Sequence, residues 1–308
     1  MHRFVFTSTL ILACTGAAAP AFAVDGVLEI NQAKVIAAGG FPFTISSPGS
    51  YVLTSNLTVA AASTSGIAIS ADDVTIDLNG FTISGGGGTG LLVGGIAITL
   101  GINRSTVRNG FVRNFDTGIL LGAHSSVIDV TATGNVSTGI QVLRDSSVIN
   151  CISNENGSHG ISAAGGTVSE GGVVAGNVTS GNTGNGIHTP GAFGLTIRGN
   201  SSMNNDGDGI NADGTIVENT VGSNGGDGIH GGLGVIANNS VFNSTGDEIE
   251  IVGLDSALVI GNYVRSAGPT GSALNLAADT TYIDNNIHGV ATGGINVSGN
   301  RCNGAACP

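Results

Sequence analysis

The sequence predicts an all-β fold, a single-stranded parallel β-helix of about 11 coils with a short capping helix at its N-terminal end. The first observation is a phrase, mostly Gly-Ile, that returns between Ile119 and Ile295 in eight steps of 19 to 26 residues, with a mean of 22. The second is an Asn that precedes this phrase by five residues in six successive coils. A period this short leaves no room for the two helices of a helical repeat. It suits two or three short strands joined by Gly and Asn turns.

Each phrase opens a strand whose alternate residues are apolar, as in Ile140-x-Val142, so one side of the strand faces a core. Successive coils of a β-helix lie about 4.8 Å apart, so equivalent residues become neighbours. The strands that we expect to stack begin at Ile67, Ile96, Ile119, Ile140, Ile161, Ile187, Ile210, Ile229, Ile249, Leu274 and Ile295.

The repeated Asn predicts a ladder of side-chain amides, hydrogen-bonded from coil to coil at a tight corner. Its predicted members are Asn114, Asn135, Asn156, Asn182, Asn205 and Asn224. A second strand in each coil also leads to an Asn, three residues after an apolar anchor. This second series extends from Asn177 to Asn286.

The two ends of the chain differ from the repeats. Residues 24–66 are predicted to form an N-terminal cap, with a helix from Ile30 to Ala38 and two strands around a Pro48-Gly49 turn. The β-helix follows over residues 67–300. Residues 301–308 form a tail in which Cys302 and Cys307 are predicted to form a disulfide. Cys151 is left as a buried free thiol in a strand.

The first 23 residues are typical of an export signal, with a polar start, a short apolar stretch and an Ala21-Phe22-Ala23 cleavage site. The sequence therefore predicts a secreted, periplasmic or cell-surface protein. A lipoprotein cleaved before Cys14 is the alternative. A formal charge of −12, from 21 acids against 9 bases, disfavours nucleic acid as a partner. No later stretch is apolar enough to span a membrane as a helix. The oligomeric state is left open.

The segment "SPGSYVLTSNLTV", followed by "DDVTIDLNGFTISG" and the Gly-Ile and Gly-Asn coils, resembles the bacterial exported right-handed parallel β-helix repeat proteins. These share the pectin-lyase-like architecture. The resemblance covers nearly all of the chain after residue 23 and implies a right-handed helix, the hand that parallel crossovers prefer. It also implies a groove on one outward strand face that holds a polysaccharide. The architecture serves lyases, hydrolases, epimerases, tailspikes and adhesins, so it does not fix one function.

Three groups of outward residues are candidate sites. Asp77, Arg108 and Asp129 are expected to share a column in which Arg108 binds a uronate; the alternative is a surface ion-pair ladder. Asp208, Asp227 and Asp247 are expected to stack, and a Ca²⁺ ion would relieve their repulsion; the alternative is solvated turn carboxylates. The third group, one residue after each anchor, consists of Gln141, Ser162, His188, Asn211, His230, Glu250, Asn275 and Asn296. It suits hydrogen bonding to a glycan, and equally an ordinary wet sheet face.

The sequence therefore predicts a protein that binds or processes polysaccharide on an outward strand face. If it is an enzyme, a lyase or an epimerase is expected. The alternative is a non-catalytic, structural or adhesin-like solenoid, which the shortage of bases and aromatic residues favours.

Overall fold

The computed structural model describes residues 26–87, 94–99, 101–163, 171–189, 191, 194–253, 257–266 and 271–307. In this part of the chain the backbone makes about ten turns of a parallel β-solenoid with almost no helix. Strands of one turn pair in parallel with those of the turns before and after. The predicted all-β parallel β-helix is therefore confirmed.

The strands form three stacks along the helix. The first stack consists of Phe43–Ile45, Ile67–Ile69, Gly94–Ile98, Thr117–Leu121, Ile140–Val142, Ile161–Ala163, Ile187–Thr189, Ile210–Ala212, Ile229–Gly231, Ile249–Ile251, Leu274–Ile283 and Ala291–Ser298. The second stack consists of Val27–Ile30, Gly49–Leu53, Val74–Asp77, Thr106–Arg113, Ser126–Thr133, Ser147–Ile149, Val173–Ala175, Thr196–Arg198, Gly214–Val217, Gly234–Ala237 and Ala257–Ile260.

The third stack consists of Leu57–Thr58, Thr82–Ser84, Ile152–Asn154, Val178–Ser180, Ser201–Met203, Thr220–Gly222, Ser240–Phe242, Tyr263–Arg265, Asn286–His288 and Arg301–Cys302. Some long strands serve two stacks. Thr106–Arg113 and Ser126–Thr133 extend from the second stack into the third, and Leu274–Ile283 extends from the first into the second.

The recurring apolar residues fill the interior of the solenoid. From Ile67 to Leu274 the predicted anchors pair with one another in register, and each is fully buried. The last predicted anchor is wrong, because Ala291 pairs with Leu274 instead. Ile295 lies beside Thr281 and is 50% exposed. The final coil is thus shorter than the mean period, and the apolar pattern there does not mark the core.

The first Asn ladder forms over five of the six predicted residues: Asn135, Asn156, Asn182, Asn205 and Asn224. The backbone N–H and the side-chain amide of each donate to Oδ1 of the next at 2.8–3.2 Å. All five are buried.

Asn114 is not part of this ladder. The buried Phe115 occupies the ladder position in its coil, and its backbone N–H donates to Asn135 Oδ1 at 3.1 Å. The spacing predicted Asn114 because this coil has one residue fewer between the ladder position and its anchor Ile119.

A second Asn ladder lies at another corner. It consists of Asn177, Asn200, Asn219, Asn239, Asn262, Asn285 and Asn300, with the same paired donors at 2.9–3.0 Å. The series predicted from the sequence ended at Asn286, whereas the ladder residue in that coil is Asn285. The prediction counted three residues on from Ile283, but the core residue that pairs with Val259 is Tyr282. The two ladders hold corners on both sides of the third stack.

A third column, which we call the corner ladder, precedes the first stack and consists of His159, Asn185, Asp208, Asp227 and Asp247. Each side chain accepts the backbone N–H of the equivalent residue one coil later, at 2.5–3.0 Å. Each aspartate is therefore held by a backbone donor, and the stacked carboxylates do not face one another as bare charges.

The two ends of the solenoid differ from its repeated coils. At the N-terminal end the helix spans Gln32–Ala37, within the predicted range, and Asn31 Oδ1 accepts the Lys34 N–H at 2.9 Å as its N-cap. Strand pairing already begins between Val27–Ile30 and Gly49–Leu53, before residue 67.

At the other end Cys302 and Cys307 form the predicted disulfide. Cys151 is a buried free cysteine, as predicted, and burial raises the pKa of its thiol to about 12.

The predicted signal, residues 1–23 with Cys14, lies outside the described residues. Among the described helices, none is long and apolar enough to cross a membrane.

We expect replacement of Asn200 by alanine to destabilise the protein by about 2–4 kcal/mol, because it leaves several buried polar groups without partners. These include the Asn177 amide, which donates to Asn200 Oδ1, and the Val174 carbonyl, which accepts from Asn200 Nδ2. Urea unfolding measures the effect, with the outward-facing Gln141→Ala as the control. Equal stability of the two variants would show that the ladder adds nothing.

We expect the contribution of His159 to stability to be lost as the pH falls from about 6.5 towards 4, because His159 must stay neutral at Nδ1 to accept the Asn185 N–H. Burial, then the stacked His188 ring 4.1 Å away, lowers the His159 pKa to about 4, while Asp208 opposes the shift. At this residue the folded state thus binds fewer protons than the unfolded chain between these pH values, so its contribution to stability falls with pH throughout the window.

The expected loss is about 1–2 kcal/mol, after allowance for the partial exposure of the ring. Urea midpoints at about pH 4.5 and pH 7.5 measure it. His159→Asn keeps an acceptor at the position and removes this contribution, so on going to the lower pH the parent should lose stability relative to the variant. An unchanged slope in this variant would contradict the assignment to His159.

Candidate functional site

The outward side chains of the first stack form a continuous polar column, which we call the polar strip. Its members lie side by side in the strand register and are Gln141, Ser162, His188, Asn211, His230, Glu250 and Asn275. All except Ser162 are partly exposed. The strip continues at Thr292, which pairs with Asn275, and not at the predicted Asn296. In the earlier coils the same column is apolar, with Ala68, Ala97 and Leu120.

The polar strip and the corner ladder contact each other, because a strip residue lies three positions after a ladder residue. Within a coil, the contacts join Asn185 Nδ2 to His188 Nδ1 at 3.1 Å, Asn211 Nδ2 to Asp208 Oδ2 at 2.7 Å, and His230 Nδ1 to Asp227 Oδ2 at 3.1 Å. Between coils, Asn275 Nδ2 donates to Asp247 Oδ2 at 2.8 Å. The two columns together make one polar face with fixed side-chain positions.

An imidazole lies between two carboxylates near the middle of this face. His230 Nδ1 is 3.1 Å from Asp227 Oδ2 and 3.0 Å from Glu250 Oε2. The side chains are 30%, 17% and 23% exposed, respectively. We call these three residues the His230 cluster. Among the described residues it is the group of acids and histidines whose ligand atoms lie close enough, within 4.8 Å, to share a metal ion.

The cluster shifts the pKa of each of its members. The hydrogen bond that His230 donates to Asp227 raises the pKa of His230 above its ordinary value, against the effect of burial. Burial would raise the pKa of Asp227, but its hydrogen bonds to His230 and to the Asp247 N–H prevail and lower it. Burial and the nearby Asp227 charge raise the pKa of Glu250. Asp227 is therefore the carboxylate that balances the imidazolium.

The three aspartates proposed from sequence as calcium ligands all lie in the corner ladder. Their Oδ1 atoms accept backbone N–H groups. The Oδ2 atoms of Asp208 and Asp247 accept amide N–H groups, whereas that of Asp227 is directed at the imidazole. These hydrogen bonds relieve the carboxylate repulsion from which the calcium hypothesis was drawn.

Asp77 and Arg108 are brought together as expected. They pair across adjacent strands, and Arg108 Nε is 3.0 Å from Asp77 Oδ2. Asp77 Oδ1 accepts the Asn79 N–H at 2.8 Å. The pair borders a cleft of about 370 Å³ that Glu29 and Thr75 also line, at the N-terminal end of the second stack.

Asp129 does not share this column. Ile128 lies beside Arg108, and Asp129 lies one position further on. With a φ of 53° it belongs to a corner of left-handed residues that includes Asn109 and Asn150. Asn and Asp tolerate this conformation, which explains why polar residues recur at this spacing. Asp129 was therefore assigned to the column of Arg108 although it is equivalent to Asn109, a turn residue.

Sequence reasoning listed the members of the His230 cluster in two separate columns and did not combine them. The signal that could have found the cluster is the spacing of three residues between Asp227 and His230, together with the step of 20 residues to Glu250. Both spacings are short distances in a β-helix.

The chain was also compared with known proteins. The family model for the right-handed beta helix region matches residues 117–232. Curated protein sequences include no match to this chain. The structure is similar to the A-module of mannuronan C-5 epimerase AlgE4 of Azotobacter vinelandii, with a TM-score of 0.55, 16% identity, and coverage of 88% of this chain and 92% of that one.

Two further solved structures have the same architecture. The Dettilon tailspike protein has a TM-score of 0.57 at 18% identity, with coverage of 88% of this chain and 62% of that one. A double mutant of the periplasmic alginate epimerase AlgG has a TM-score of 0.53 at 13% identity, with coverage of 84% and 71%. At these identities the likenesses show the fold alone. Together with the matched region and the stacked strands, they show that this chain has the right-handed parallel β-helix fold.

Proposed function

We propose that the protein binds a polysaccharide along the polar strip. The observation that carries this proposal is the unbroken register of seven polar side chains, from Gln141 to Asn275, on one outward strand face. With coils about 4.8 Å apart, this series extends over about 29 Å. A repetitive surface of this length suits a repetitive, extended ligand better than a small molecule, which needs an enclosed pocket.

The chemistry of the strip suits hydroxyl groups. Amide, hydroxyl and imidazole side chains both donate and accept hydrogen bonds. Contacts to the corner ladder fix several of these side chains, such as Asn211 on Asp208, so little conformational entropy is lost on binding. The formal charge of −12 opposes highly anionic polymers. Neutral glycans, or uronates bound through a cation, are therefore the expected class.

The comparisons support the same class of ligand. Two of the similar structures are named as epimerases of mannuronan and alginate, which are polysaccharides. We extend the substrate class, and not the reaction, to this chain. The Asp77–Arg108 pair beside the N-terminal cleft is a second proposed contact point for an acidic sugar, since an Arg side chain bonds a carboxylate in a defined geometry.

We also propose that the protein is exported, as a secreted, periplasmic or cell-surface protein. The signal-like residues 1–23 support this location, and so does the disulfide between Cys302 and Cys307, since disulfides persist in oxidising compartments. N-terminal sequencing of the protein from the culture medium and the cell envelope tests the location and the cleavage after Ala23. An intact leader on cytoplasmic protein would contradict it.

We expect the double substitution His188→Ala and Asn211→Ala to weaken polysaccharide binding about tenfold, because each lost hydrogen bond contributes roughly 0.5–1.5 kcal/mol. Affinity electrophoresis in gels containing alginate, pectate or a neutral glucan measures the change after a glycan array has identified the ligand. The matched control is Thr196→Ala with Thr215→Ala, two outward hydroxyls on the second stack of the same coils.

Equal retention of the two double variants would place binding elsewhere and reject the polar strip. No retention of the parent protein by any glycan would favour the alternative function, a structural or adhesin-like solenoid. Release of unsaturated sugar from a bound polymer, or epimerisation of residues within it, would extend the proposal from binding to processing by a lyase or an epimerase, respectively.

A further inference from the structure

The His230 cluster has a geometry that polysaccharide binding does not require. Its three side chains direct a nitrogen and two oxygens towards one another on a partly exposed surface. A neutral Nδ1–H is a single donor, so it satisfies one of the two carboxylates fully and the other poorly. A single cation in place of that proton would bond all three atoms at once.

The distances agree with such an ion. Zn²⁺ bonds imidazole nitrogen and carboxylate oxygen at about 2.0–2.2 Å, which places tetrahedral ligand atoms about 3.3 Å apart. The Nδ1 atom of His230 is 3.1 Å from Asp227 Oδ2 and 3.0 Å from Glu250 Oε2. All three ligand atoms lie within 4.8 Å of one another, so side-chain rotations can complete three ligand bonds.

Hydrogen bonds from outside the cluster hold both carboxylates in place. The Asp247 N–H donates to Asp227 Oδ1 at 2.7 Å, and Asn275 Nδ2 donates to Glu250 Oε1 at 3.0 Å. Each carboxylate thus has one oxygen fixed by the protein and the other directed at the imidazole. Outer hydrogen bonds of this kind orient the ligands of protein metal sites.

The neighbouring coils provide an internal comparison. In the coil before, the position of His230 is taken by Asn211, whose amide donates to Asp208. In a later coil it is taken by Asn275, whose amide donates to Asp247. An amide NH₂ is a donor and satisfies the carboxylate without a metal. The imidazole nitrogen of His230 therefore distinguishes this coil from those two.

We propose that Asp227, His230 and Glu250 bind one divalent transition-metal ion of the Zn²⁺ class, with a coordination position open to solvent. Imidazole and carboxylate ligands favour such ions over calcium, which prefers six to eight oxygen ligands. Three protein ligands leave a fourth position for water or for an oxygen of a bound ligand. The proposal concerns the metal alone and does not depend on polysaccharide binding.

The test uses the full chain, freed of metal by a chelator and titrated calorimetrically with Zn²⁺ and, separately, with Ca²⁺. We expect one Zn²⁺ per chain and weak or no Ca²⁺ binding. Co²⁺ in place of Zn²⁺ should give a visible absorption band that Zn²⁺ abolishes. His230→Asn, which copies the neighbouring coils, and Glu250→Gln should each lower the Zn²⁺ affinity at least about tenfold.

The matched control is His188→Asn. It also removes an imidazole from the polar strip, but His188 contacts the amide of Asn185 and not a carboxylate. It should bind Zn²⁺ like the parent, and urea midpoints confirm that each variant is folded. Absence of Zn²⁺ binding by the parent protein overturns the proposal, as does equal loss in the His188 and His230 variants. Ca²⁺ binding that survives His230→Asn but not Asp208→Asn would instead assign a calcium site to the corner ladder.

Discussion

The hydrogen bond from one buried Asn to the Asn of the next coil is the interaction on which the rest of the structure depends. A tight corner directs backbone N–H groups away from the strand ladders, and burial would leave them without water. In both Asn ladders a side-chain oxygen accepts the corner N–H and the amide of the preceding coil, as Asn219 Oδ1 does for Asn200 at 2.9 Å. Because the acceptor is one coil away, the corner is satisfied only when the coils are in register. The ladders therefore fix the same register that the buried apolar face of each strand specifies.

The ladder also shows which substitutions it tolerates. After Asn224 the equivalent position is Ser244, whose side chain is too short to continue the amide series. Glu248, fully buried where the coils before it have glycine, accepts the Ser244 N–H at 3.2 Å through Oε2. Burial raises the Glu248 pKa to about 7, which favours the neutral acid. A carboxyl group thus replaces the amide as acceptor, and the corner N–H keeps its partner.

Sequence spacing predicted a column correctly where every coil needs the same kind of side chain at that position. The anchors from Ile67 to Leu274 are all buried and apolar, so their period remained visible through loops of different length. The prediction failed where a coil gains or loses one residue between columns, as at Asn114, because spacing counted from an anchor then shifts by one position. Asp129 was placed on a face for the same reason, although its left-handed backbone belongs to a corner. Contacts between columns, such as that of His230 with Asp227, depend on side-chain direction, which the period does not contain.

The polar face follows from the same register. The corner ladder needs acceptors, so it is composed of side chains with oxygen or imidazole nitrogen, and residues three positions later face these acceptors. Where the facing residue is an amide, as Asn211 is, its N–H donates to the ladder carboxylate and satisfies it. Where the facing residue is His230, the carboxylates of Asp227 and Glu250 both lie at its Nδ1 atom. The single proton that this nitrogen can share does not balance two negative charges. A structural ladder thus becomes a cation-attracting centre where His230 and Glu250 replace the amides of the strip. Any ligand that lies along the strip must pass over this point.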